Sequence, residues 1–343
     1  MKLFPFLALL ISELCFAYPQ TIIKKYQNCK ACHMTNDGGD ILSDYGRAMS
    51  EAFMATWARE GEAREFFGLA ESNAIDVQLD YRSMRISNAE TGESDQFHMY
   101  TVGGLALRHA GLTVFGTFGS YGRDRRNETR AYGVTFDVNS DSHSLAFQLR
   151  YGLPMVGIGS NNHDLSIKKA FGFGRGQEKF IVQSSYLNRW FEVRALRLQS
   201  EIKIEKDEKN WPVNRSETEP EHLFEVKLKR IEGFEFGLHQ KRSDQGISME
   251  GYSLRIAKNS AYILLEQSRN PLKAIDAMYA RAGFFAFQGF DAYFELDRLT
   301  AIEPTDTRTL GVSWMIRPRT ELEASYAQSA RGNFYIQSMK LWL

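Results

Sequence analysis

Gly289-Phe290-Asp291-Ala292-Tyr293-Phe294-Glu295-Leu296-Asp297 sorts its side chains with a period of two. Phe290, Ala292, Phe294 and Leu296 fall on one side of an extended chain, and Asp291, Tyr293, Glu295 and Asp297 fall on the other. No helical face separates residues in this way. The split recurs in Ile75, Val77, Leu79 and Tyr81 against Asp76, Gln78, Asp80 and Arg82. It returns in Tyr132, Val134, Phe136 and Val138 against Gly133, Thr135 and Asp137, and in Tyr252, Leu254 and Ile256 against Ser253 and Arg255. In the long strand expected over Trp190 to Glu205 the phase changes near Ala195-Leu196, where Phe191 and Val193 give way to Leu196, Leu198, Ile202 and Ile204. A β-bulge is expected there.

Soluble sandwiches also alternate, so the connections decide the architecture. Short turns fall near His109, at Asn139 to His143, Asn188-Arg189, Ile231-Glu232, Lys258-Asn259, near Gln288 and at Arg317-Pro318-Arg319. Longer polar loops are expected between them: Ser87 to Gln96, Ser120 to Thr129, Gly152 to Glu178, Lys206 to Glu221, Lys241 to Ser248, Ser268 to Ile275, Arg298 to Asp306 and Ser329 to Asn333. This alternation of short and long is the rhythm of an up-and-down transmembrane β-barrel, short turns on the periplasmic side and long loops outside. The expected fold is all-β, an antiparallel barrel of about 16 strands over residues 73–343. Reading Leu165 to Phe171 as a strand raises the count to about 18.

A barrel of that size is too wide for side chains to fill and should hold water. Arg108, Arg150, Arg197, Glu201, Lys203, Glu225, Lys227, Lys229, Arg255, Arg281, Asp291, Glu295, Glu321 and Glu323 are the expected lumen charges. Their mixed signs assign no ion selectivity. Formal net charge is zero, which lacks the basic face that nucleic-acid binding requires. Beyond the first residues no apolar run reaches the roughly 18 residues that a membrane helix needs. The last strand, Phe334 to Leu343, resembles the C-terminal strand of bacterial outer-membrane proteins that the insertion machinery recognises. It departs from them in placing Leu343 last, with the aromatic Trp342 before it.

The first residues carry separate information. Lys2, the apolar stretch Leu3 to Ile11 and Cys15-Phe16-Ala17 predict an export signal over residues 1–17, cleaved after Ala17. Then comes Cys29-Lys30-Ala31-Cys32-His33. Two thiols three positions apart on a helical turn can reach the two vinyl groups of one porphyrin, and the adjacent histidine can meet the iron. Half a zinc site, a redox dithiol and a plain Cys29–Cys32 disulfide are the competing readings. No second ligand pair follows for zinc, and no βαβ unit surrounds the pair as a thioredoxin-like dithiol would need. Residues 18–72 are therefore expected to form a small α-helical segment binding one covalently attached haem c. Ser43 is its candidate helix N-cap, and the helix could run toward Phe66.

The segment resembles a haem-binding stretch found ahead of outer-membrane barrels in some Gram-negative bacteria. Its likeness to c-type cytochromes implies that Cys29 and Cys32 carry the thioether bonds and His33 is the proximal iron ligand. Met49, on one helical face with Tyr45 and Phe53, is a candidate distal ligand; an apolar contact with the porphyrin or barrel rim is its other reading. Phe171-Gly172-Phe173-Gly174-Arg175-Gly176 superficially suggests a nucleotide loop, but no helix follows to present its N-terminus to phosphate.

The expected location is the bacterial outer membrane, with its lipid as one partner and the haem segment on the periplasmic side. Three functions are compatible with these features. The first is an electron-transfer barrel, which resembles the porin–cytochrome conduits of metal-respiring bacteria. One haem cannot bridge a hydrocarbon band of about 25 Å alone, so periplasmic carriers or a multihaem cytochrome would be its partners. The second is a diffusion porin for small solutes whose haem segment is a plug or redox sensor. The third, a haem enzyme, lacks a visible distal acid–base pair, so no catalytic residue is assigned.

Overall fold

The structure, a computed structural model, describes residues 55–57, 65–66, 69–70, 75–121, 126–140, 142–152, 170–171, 179–199, 202–206, 212–217, 220–231, 233–301, 304–318, 320–330 and 332–342. Two short pieces precede the barrel, β1 (Glu65–Phe66) and β2 (Leu69–Ala70), paired antiparallel with each other. The helix expected to run toward Phe66 therefore does not include its last two residues, which are extended.

Sixteen strands close on themselves. In chain order they begin with β3 (Ile75–Asn88), β4 (Ser94–His109), β5 (Leu112–Tyr121), β6 (Arg126–Asn139), β7 (His143–Gly152), β8 (Lys179–Asn188) and β9 (Phe191–Leu198). A separate hairpin, β10 (Ile202–Lys206) with β11 (Pro212–Glu217), interrupts the series. The barrel resumes with β12 (Glu221–Ile231), β13 (Phe234–Ser243), β14 (Gly246–Lys258), β15 (Ala261–Asn270) and β16 (Ile275–Phe287). It ends with β17 (Phe290–Thr300), β18 (Thr305–Arg317), β19 (Thr320–Ser329) and β20 (Gly332–Trp342). Every neighbouring pair is antiparallel, and β20 pairs with β3 to close the cylinder. Closure removes the free edges that would otherwise leave a row of backbone groups without partners.

The expected 16 strands are therefore present, and the 18-strand alternative is not. Residues 165–169 of that stretch lie outside the described residues; Phe171 sits in the β7–β8 connection, and β7 pairs directly with β8. All seven short turns lie where the sequence places them. At the first, Ala110 and Gly111 both adopt positive φ, 46° and 82°, the backbone of a two-residue primed turn. The opposite end is less regular than its polarity suggests. β13 and β14 are joined by residues 244–245 alone, and β19 and β20 by residues 330–331. Asp244 and Gly246 supply turn chemistry that resembles a longer polar loop in composition.

Burial runs opposite to that of a soluble protein. On β7, Leu145, Phe147 and Leu149 are exposed while Ala146, Gln148 and Arg150 are buried. On β12, Phe224, Val226 and Leu228 are exposed while Glu225, Lys227 and Lys229 are buried. Only an apolar surrounding makes such an outer face stable. Aromatic groups cluster toward both outer rims: Tyr132 with Tyr151 and Phe180, and Tyr326 with Tyr335, at the long-loop end. At the short-turn end stand Tyr186 with Phe191, and Phe287 with Phe290 and Trp314. Aromatic bands at both rims are the pattern of barrels that span a bilayer. Val226, in the middle of β12, gives a direct test. Val226→Lys should cost about 2–4 kcal/mol, as a cation on the lipid face near mid-depth does. The denaturant midpoint of barrels folded into vesicles is the measurement.

Strand β9 departs from its expected form. It is a regular strand that stops at Leu198, with no bulge at Ala195-Leu196, and Ile202 and Ile204 belong to the separate hairpin. Glu192, Arg194, Leu196 and Leu198 are all buried on the lumen side, so Arg197 faces outward and does not line the lumen. It is the penultimate residue of β9, at the rim, where a long arginine can keep its charge among polar headgroups. The inward leucines have a packing reason. Leu196 and Leu198 join Phe171, Ile181, Leu223 and Met249 in one buried apolar cluster. Lys241 Nζ donates to the Phe171 carbonyl at 2.8 Å and pairs with Glu221 at 3.0 Å, fixing part of the β7–β8 connection against the inner wall. Lumen near this end is packed with protein, so apolar residues point inward there.

Candidate functional site: the lumen wall

Inside the barrel two charged networks lie on different sectors of the wall. The first spans β9, β12, β13 and β14, toward the short-turn end. Arg194 donates to Glu225, and Lys229 donates to Glu192 at 2.5 Å. Lys227 lies 3.6 Å from Glu225 and 3.9 Å from Glu235, and Arg255 lies 3.4 Å from Glu235. None of these seven side chains is more than 10% exposed. Strand register explains the order. Arg194 stands directly across from Glu225, and Lys227 across from Glu192, so inward residues of adjacent strands meet as alternating charges.

The second network spans β15 to β20 and continues onto β3. Tyr262 faces Gly283 across β15 and β16, and Tyr293 faces Gly311 across β17 and β18. A Cβ on either glycine would overlap the tyrosine ring, so the missing side chain lets each ring lie flat on the wall. Flat placement aims the hydroxyls sideways. Tyr262 donates to Asp291 at 2.8 Å, and Tyr293 donates to Glu323 at 2.5 Å. Arg281 holds the centre, donating to Asp291 at 2.7 Å and to the Tyr262 oxygen at 2.8 Å, with its guanidinium 3.7 Å from the centre of the Tyr293 ring. Tyr279 donates to Glu295 at 2.9 Å, while Arg82 and Ser338 donate to Glu323 at 2.8 and 3.0 Å.

Tyr262, Tyr279, Tyr293 and Asp291 are as buried as the first network, and accessibility separates the rest. On the second wall the side chains of Arg82 and Glu323 are 27% and 25% exposed, so they meet whatever fills the lumen. Charges of the first wall are spent on one another.

The sequence places Arg108, Arg150, Glu225, Lys227, Lys229, Arg255, Arg281, Asp291, Glu295, Glu321 and Glu323 on the inner face, and the structure does the same. Lys203 lies on β10, outside the barrel sheet, and Glu201 lies outside the described residues. Tyr262, Tyr279, Glu192, Arg194 and Glu235 were not singled out by pattern. For Tyr262 the cause is local: Ala261-Tyr262-Ile263-Leu264-Leu265 is apolar throughout, and alternation has nothing to sort. A glycine within each facing strand was the available signal.

Cys29, Cys32, His33 and Met49 lie outside the described residues. Among the described residues no group of three or more His, Cys, Asp or Glu side chains could hold a metal ion. The described part nearest to that segment is Ala55-Thr56-Trp57, and it is fastened to the short-turn rim. Thr56 N donates to the Met315 carbonyl at 3.0 Å and Trp57 N to the Ile316 carbonyl at 2.9 Å. Thr56 Oγ1 donates to the Gln288 carbonyl at 2.8 Å, and Gln288 Nε2 donates to the Ala55 carbonyl at 2.8 Å.

The sequence matches no protein-family model and no curated protein. Its fold does have solved counterparts. A substituted form of Rh. blastica porin superposes with a TM-score of 0.53 at 8% identity, covering 78% of this chain and 100% of that one. Salmonella typhi OmpF, in a complex with daunomycin, superposes with a TM-score of 0.52 at 10% identity, covering 78% of this chain and 97% of that one. The barrel is thus porin-like in architecture, a fold consistent with the outer membrane.

Proposed function

We propose that this chain is an outer-membrane diffusion channel for small hydrophilic solutes, with a c-type haem segment, residues 18–72, on its periplasmic side. The observation that carries the channel is the inverted wall: apolar side chains outside, and inside two networks of charged and hydroxyl groups beside an apolar cluster. A lining of paired but accessible groups such as Arg82, Glu323 and Arg281 offers hydrogen bonds to water and passing solutes. The porin-like architecture supports the same reading, and it favours a channel over an enzyme. Single-channel recording in planar bilayers tests it. Steady conductance in simple salt is expected, and a folded, inserted barrel that passes no current would rule the channel out.

Electron transfer is the second reading, favoured by Cys29-Lys30-Ala31-Cys32-His33. Haem c would be held there by Cys29 and Cys32, with His33 on the iron, and would supply one-electron exchange with periplasmic carriers. The two readings are separable in the same recording. Conductance that changes on adding a reductant marks a sensor or plug, whereas unchanged conductance leaves the haem with an independent redox role.

A further inference from the structure

We propose that the haem-bearing segment is strapped to the outer edge of the short-turn rim, on β16 to β18, and does not plug the lumen. The inference rests on the proposal that residues 18–72 carry haem on the periplasmic side. It begins from the sheet edge. The last residue pair between β17 and β18 is Phe290 with Trp314, and β18 continues past it to Arg317. Backbone carbonyls left over at such an overhang need partners, above all at a membrane interface. The carbonyls of Met315 and Ile316 find them in the amides of Thr56 and Trp57.

Side chains show on which side of the wall the strap lies. Trp314 belongs to the outward series with Val312, and its indole Nε1 donates to Thr56 Oγ1 at 2.9 Å. The ring of Trp57 meets that of Trp314 edge-on at 5.3 Å and is 58% exposed. Next to it Phe287, 50% exposed, stacks on Phe290 at 5.0 Å. Thr56 and Trp57 therefore sit on an outward aromatic patch.

That patch fits the segment leading to it. Tyr45, Met49 and Phe53 recur at spacings of four, which in a helix would form an apolar stripe on one face, and the last of them stands two positions before Ala55. Laid on Phe287, Phe290 and Trp314, this stripe would cover aromatic surface at the bilayer boundary and keep the Cys-x-x-Cys-His run at the periplasmic surface. Met49 is then a packing residue and not an iron ligand. Solute passage and haem chemistry would occupy different sides of the same wall.

Photocrosslinking in outer-membrane vesicles, on the full-length protein as exported, tests the placement. Phe287→p-benzoylphenylalanine should crosslink to a peptide within residues 18–54, and Thr309→p-benzoylphenylalanine, on the lumen face of β18, should not. Thr56→Pro, which removes one strap amide, should abolish the Phe287 crosslink while the barrel stays folded by its heat-modifiable mobility. Crosslinks from position 287 to lipid alone, crosslinks from position 309 to the segment, or a position 287 crosslink that survives Thr56→Pro would each overturn the strap. The map is read whether or not the barrel conducts, so failure of the channel proposal would appear separately, as absent current beside an intact crosslink.

Discussion

Glu225→Leu is expected to destabilise the barrel by about 3–5 kcal/mol, the cost of removing one partner from a buried ion pair. Glu225 is 1% exposed and accepts from Arg194, with the Lys227 ammonium 3.6 Å away. Truncation takes the nearest carboxylate from two cations that are 3% and 4% exposed, and Glu192, 3.6 Å from Arg194, and Glu235, 3.9 Å from Lys227, replace only part of it on a buried wall. A wet lumen at this point would give a different number. Exposed pairs contribute only about 0–1 kcal/mol, so Glu323→Gln, at a side chain 25% exposed beside Arg82, should change stability little. Urea midpoints of both variants in vesicles decide the matter. Equal small losses would mean that the β9 to β14 wall is hydrated like its counterpart. Combining Glu225→Leu with Arg194→Met should recover part of the loss, because the guanidinium that has lost its nearest carboxylate is then gone.

The contrast between Glu225 and its neighbour Val226 shows how much of this molecule is legible in its sequence. Alternation is a property of each strand, and wherever lipid lies on one side and polar groups on the other it can be read residue by residue. It gives the strand number, the short turns and many of the lumen charges, though not Glu192, Arg194 or Glu235. Reading fails where the environment stops being two-sided. Leu196 and Leu198 point inward because Phe171 and Ile181 meet them there, a contact between parts of the chain that no local pattern records. Assigning them to lipid moved Arg197 to the wrong face. The pairing within the networks was also hidden, since Arg194 meets Glu225 through strand register after an intervening hairpin. The flat tyrosines depend on glycines in the next strand, and the sequence shows the glycines without showing what they face. Residues 244–245 read as part of a loop because turn and loop share the same polar residues.

Replacing Cys29 and Cys32 together by Ala is expected to remove all covalent haem from the barrel's band on a denaturing gel while leaving the amount of barrel unchanged. The first half follows from thioether chemistry: only a bond to sulfur survives denaturation, and the spacing Cys29 to Cys32 serves one porphyrin with two such bonds. The second half follows from the topology. The cylinder closes between β3 and β20, so its hydrogen-bonded circuit contains no residue before Ile75. Haem stain of outer-membrane fractions, compared with barrel protein in the same lanes, separates the readings of the motif. A stain that persists when both cysteines are Ala places the attachment elsewhere. No stain even in the wild type would leave a disulfide, a dithiol or a metal site. Loss of the barrel together with the stain would mean that the segment acts during assembly, since a finished barrel of this connectivity draws none of its strand pairing from it.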